Sequence, residues 1–146
     1  MAALLTACSE GEPTAVPSSS SAATRTITAT AAPTKLAPLW EKRLPALSPR
    51  SACPSEAMFK PDCLQAILDF RKTIEEIGDQ ADAMDNRYVV VERAVGEVGE
   101  AIEEWTTVCV TTPAGSSERV RCLQPWNTVL TGSEKILLAI HKVESS

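Results

Sequence analysis

Apolar residues recur at alternating intervals of four and three along nearly a third of this chain: Cys63, Ile67, Phe70, Ile74, Ile77, Ala81, Met84, Tyr88, Val91, Val95, Val98, Ile102, Trp105 and Cys109. A period of 3.5 keeps one helical face turned toward packed neighbours. The positions between are largely charged, among them Asp69, Arg71, Lys72, Glu75, Glu76, Glu97, Glu100, Glu103 and Glu104. Pro61 and Asp62 furnish a helix start, since proline suits the first helical position and a carboxylate suits the first turn. The stripe therefore constrains the fold class to all-α.

One helix over residues 62–111 would be about 75 Å long at 1.5 Å per residue, too long for a small domain to support. The break is expected at Met84-Asp85-Asn86-Arg87, where Asp and Asn bond their own backbone and accept turn conformations. A third helix is expected from about Pro125 to Val143, presenting Trp126, Val129, Leu130, Ile136, Leu137, Ile140 and Val143. Thr131-Gly132-Ser133-Glu134 has the form of a capping box, which would start that helix only there. The expected architecture is an up-down-up three-helix bundle over residues 51–146. Gly78, Gly96 and Gly99 each weaken a helix by about 1 kcal/mol relative to Ala, and permit close helix approach.

Four of the five cysteines, Cys53, Cys63, Cys109 and Cys122, fall in this part of the chain. Four cysteines allow three pairings. Folding the stripe about Asn86 brings Cys63 and Cys109 to one level of an antiparallel hairpin, which favours Cys63–Cys109 with Cys53–Cys122. The alternative, Cys53–Cys63 with Cys109–Cys122, closes two short loops. The chain-entropy account gives the 63–109 bridge about 4 kcal/mol and a ten-residue loop about 2.7 kcal/mol. Either pairing suits a small domain exported to an oxidising space.

The fifth cysteine has its own context. Leu5-Thr6-Ala7-Cys8 follows the apolar Ala2-Ala3-Leu4 and precedes a polar tract. It resembles the lipobox of bacterial lipoproteins. The resemblance implies that signal peptidase cuts before Cys8, leaving residues 1–7 as a signal-peptide remnant, and that Cys8 carries two or three acyl chains. Two chains anchor far better than one. A signal peptide needs a basic n-region and an apolar stretch of about 7–15 residues, so the translation start is expected upstream. Residues 8–50 read as a tether rich in Ser, Thr, Ala and Pro, holding six of the ten prolines. Such a segment buries too little apolar surface to offset the entropy of ordering it. As a flexible coil its ends would lie about 35–40 Å apart. The Ala, Thr and Pro bias is similar to that of actinobacterial cell-envelope lipoproteins.

Within the tether, Leu36, Leu39, Trp40, Leu44 and Leu47 recur at helix-like intervals behind Pro38. They form a segment folded back over the domain, a docking motif for a partner, or a membrane-surface contact, since Lys35, Lys42 and Arg43 flank the apolar positions. Residues 9–50 carry five basic and three acidic side chains, and residues 51–146 carry nine and sixteen. An acidic domain disfavours nucleic acid, whose binding depends on phosphate neutralisation. No run of eighteen apolar residues exists to span a bilayer.

Catalytic and metal chemistry find little material. The cysteine spacings lack the close pairs of zinc sites. His141, the single histidine, sits where a cation suits a helix C-terminus. Glu97, Glu100, Glu103 and Glu104 align on one face, but the Glu-x-x-His pairs of di-iron bundles are absent. Asp79, Asp82 and Asp85 do not match a calcium loop. No cofactor or metal is expected, and no enzyme. The expected function is a membrane-anchored extracytoplasmic module that binds an envelope or extracellular protein. The alternative is a carrier or sensor of a small apolar ligand, with Gly96, Gly99 and Ala101 making room beside Trp105. The sequence leaves the oligomeric state open.

Overall fold

The computed structural model describes residues 34–113 and 115–146. Its elements are α1 (Ala37–Trp40), α2 (Arg43–Ala46), α3 (Pro61–Asp82), α4 (Val89–Glu104) and α5 (Leu123–Glu144), with 3-10 turns at Pro49–Ser51, Ser55–Ala57, Asn86–Tyr88 and Ser117–Cys122. No strand occurs among the described residues. Together they make a disulfide-bonded helical bundle in which α4 packs against both α3 and α5.

The stripe is the core. Of its residues, only Met84 and Val95 are half-buried, and the others are buried. Pro61 occupies the start of α3, where its missing N–H would have had no partner. The break falls at the expected place. Asp85 Oδ1 accepts from the Arg87 backbone N–H at 2.9 Å and turns the chain into α4. Ala94 and Ala101 are buried on the side of α4 that faces α5, so α4 carries two apolar flanks.

Two local expectations are corrected. The sequence Thr131-Gly132-Ser133-Glu134 caps nothing, because α5 runs unbroken from Leu123 to Glu144. Pro125 lies in its first turn, where proline is tolerated. The Thr131 hydroxyl donates back to the Asn127 carbonyl at 2.8 Å, and Ser133 is buried in mid-helix. Gly132 is there for contact. A Cβ at that position would stand 2.7 Å from Val98 Cγ1 and 3.2 Å from Phe70 Cε1, so only glycine lets α5 lie this close to α4 and α3.

The favoured cysteine pairing is also corrected: Cys53 is bonded to Cys63, and Cys109 to Cys122, with Cα atoms 4.9 and 5.6 Å apart. The physical reason lies after α4. Residues Trp105–Cys109 form a π-helical turn, in which the Val110 N–H donates to the Trp105 carbonyl. A π turn takes one more residue than an α turn. Cys109 stays buried at its end, and the 3-10 turn Ser117–Cys122 brings Cys122 to it. At this end of the bundle Trp105 stacks on Phe59 at 5.7 Å and packs on Trp126 at 5.2 Å, filling the space with rings. Ahead of α3, consecutive turns closed by Ala57 N–H to Pro54 and Lys60 N–H to Ala57 carry Cys53 back to Cys63.

Candidate interaction surface

The segment singled out for docking does dock, but on its own chain. Leu36, Trp40 and Leu44 are fully buried, while Leu39 and Leu47 stay exposed at 40% and 44%. The segment lies along α5, and its 3-10 turn at Pro49–Ser51 touches α3 as well. Trp40 Nε1 donates to Gln80 Oε1 on α3 at 2.8 Å, and Arg43 covers the Trp40 ring at 4.5 Å. The expected tether boundary at residue 50 is thereby corrected. Residues from Leu36 onward are a strap of the folded body, because burying three large apolar side chains contributes roughly 5–9 kcal/mol before ordering costs.

A carboxylate fixes the start of the strap. Glu144, at the end of α5, accepts from the Leu36 N–H, from the Ala37 N–H at 3.2 Å and from the Tyr88 hydroxyl at 3.0 Å. Burial, together with the hydrogen bond to Glu144, pushes the Tyr88 phenol up to about 12. Arg50 and Glu134 pair at 3.0 Å across the far part of the strap, both well exposed.

No described residue covers the opposite side of α5. Along the seam between α4 and α5, Lys135 pairs with Glu97 and divides the surface into two grooves. One, of about 270 Å³, is lined by Val90, Arg93, Ala94, Leu138, Ala139 and Lys142 beside the bridge. The other, of about 340 Å³, is lined by Glu100, Ala101, Glu104, Gln124, Pro125 and Thr128 beside the same bridge. Leu138 is 71% exposed, the most of the large apolar side chains among the described residues. The first half is thus basic and apolar, the second acidic.

The acidic run divides accordingly. Glu97 is in the bridge, and Glu103 faces Arg71 of α3 at 3.9 Å. Glu100 and Glu104 are exposed and unpaired among the described residues, as are Arg93 and Lys142. Glu100 and Arg93 sit seven residues apart on one outward ridge, with the exposed Gly96 between them. The sequence offered the spacing of Glu97, Glu100 and Glu104, though not Arg93 as its counterpart. What it hid was the partner helix that turns the spacing into two unlike halves.

The remaining candidates are dispersed. Cys8 and the tract to residue 33 lie outside the described residues. His141 is exposed in the last turn of α5. Hydrogen bonds from Arg87 hold the Asp85 carboxyl below its usual range, and those from Gln65 and Lys72 do the same for Asp69. A Cβ on Gly96 or Gly99 would meet nothing within 4 Å among the described residues, Trp105 included. Among the described residues no three His, Cys, Asp or Glu side chains are grouped to hold a metal. No described helix is long and apolar enough to cross a membrane. No family model, curated protein or solved structure matches the chain.

Proposed function

We propose that this protein is a lipid-anchored extracytoplasmic module, an up-down-up three-helix body on a tether, that acts by binding a protein and not by catalysis. The observation that carries the proposal is the division of its surface. A strap seals one side of α5, rings occupy the space beside Trp105 where a carrier would hold its ligand, and the α4–α5 seam is left open, with charge unpaired, among the described residues. The lipobox-like Leu5-Thr6-Ala7-Cys8 supports anchoring, and two disulfides suit an oxidising compartment.

Globomycin treatment of the host tests the anchor. The unprocessed precursor should accumulate, and Cys8→Ser should release the protein from the membrane fraction. Insensitivity to both would remove the lipoprotein assignment. Crosslinking of the anchored protein in its host should recover a protein partner. Native mass spectrometry showing instead a stoichiometric lipid mass on the described domain would favour the carrier.

A further inference from the structure

We propose that the α4–α5 seam takes a second copy of this chain, in a two-fold arrangement centred on the Glu97–Lys135 bridge. This deepens the binding-module proposal and rests on it.

The two halves of the seam are complementary to each other. Arg93 lies four residues before Glu97 on α4, and Glu100 three residues after it. At 1.5 Å per residue they stand about 6 and 4.5 Å from the bridge, in opposite directions. Lys142 lies seven residues from Lys135, and Glu104 seven from Glu97, each about 10.5 Å out and again in opposite directions, since the helices are antiparallel. A two-fold axis lying across the seam at the bridge reverses its direction. It sets Arg93 of one copy over Glu100 of the other and points Lys142 toward Glu104, each contact occurring twice. It also directs the exposed Leu138 at the 340 Å³ groove of the acidic half.

An isologous interface requires that kind of self-complementarity. A partner of uniform charge would be attracted to one half of the seam and repelled by the other, which costs specificity. Gly96, on the ridge between Arg93 and Glu100, has no neighbour within 4 Å of an added Cβ among the described residues, and it lets a second backbone come close.

Sedimentation equilibrium tests the proposal on the full disulfide-bonded chain carrying Cys8→Ser, so that no thiol links two copies. A reversible dimer is expected, weakened as salt rises from about 0.05 to about 0.5 M. Arg93→Glu and Glu100→Arg should each weaken it by about tenfold or more, because each reverses two symmetric contacts. The double variant restores opposite charges and should recover most of the affinity. Circular dichroism checks that the exposed substitutions leave helicity unchanged. A chain that stays monomeric at millimolar concentration overturns the self-association, as does a dimer indifferent to both reversals or a double variant that fails to recover. A monomer would leave the binding-module proposal standing, since that is judged by what crosslinks to the anchored protein.

Discussion

The two sides of α5 are finished differently. On one, the strap lays Leu36, Trp40 and Leu44 into the body, and polar contacts join Trp40 to Gln80 and Glu144 to the strap's first N–H groups. On the other, no described residue covers the meeting of α4 and α5, and charges unpaired among the described residues line the seam. Large apolar side chains on the strap side have been removed from water, and the difference locates stability there. The seam keeps mostly alanines and long charged residues, whose exposure costs little. Its contacts with other molecules are therefore open to variation without threatening the fold.

Substitutions that separate the two sides should differ in size. Trp40→Ala removes a fully buried ring and the donor to Gln80 Oε1, and should lower unfolding stability by about 3–5 kcal/mol in urea titrations. An effect below about 1 kcal/mol would mean that the strap is not part of the cooperative unit. Glycines give a contrast of sign. Gly132→Ala forces a methyl against Val98 and Phe70 and should cost about 1–3 kcal/mol. Gly96→Ala, facing open space on an exposed helical ridge, should add about 0.5–1 kcal/mol.

Tyr88 gives a pH signature for the strap end. Its phenol is raised to about 12 in the fold against about 10 unfolded, so the folded state holds the proton more tightly. Stability is unaffected by this group below about pH 10 and falls as pH rises from there toward about 12. Tyr88→Phe should flatten that part of the stability profile, and a profile unchanged by the substitution would contradict the assignment. The smallest effects belong to the exposed ion pairs on either side. Arg50→Ala and Lys135→Ala should each change stability by less than about 1 kcal/mol.

The helical fold and its core were legible because they depend on periodicity, which is local. The spacing of three and four passes through the turn at Asp85 and resumes on α4, so twelve of the fourteen stripe residues are buried. The strap was legible as an apolar pattern that could fold back over the domain or dock a partner, but composition around it set the tether boundary too late, at residue 50. Only tertiary burial of Leu36, Trp40 and Leu44 decides that. The cysteine pairing was not legible, since it turns on the courses of the short connections before α3 and after α4, which no periodicity announces. Thr131-Gly132-Ser133-Glu134 misled for a related reason. Its glycine serves a contact with Val98 and Phe70, residues 34 and 62 positions distant. The seam combined both situations: its charges stood in plain order along α4, and their division into halves came from α5.

The strap begins beside Glu144 and Gln80 and ends at the covalent link between Cys53 and Cys63. A pull on the amino-terminal chain would load the Glu144 carboxylate first, then lift Trp40 and Leu44 from their seats in sequence. At Cys53 the peeling meets a bond that hydrogen bonds and apolar contacts cannot match in strength, and the load passes straight to the first turn of α3. The short disulfide loop thus acts as a stop, placed between a stretch that can yield under tension and the helices that must not.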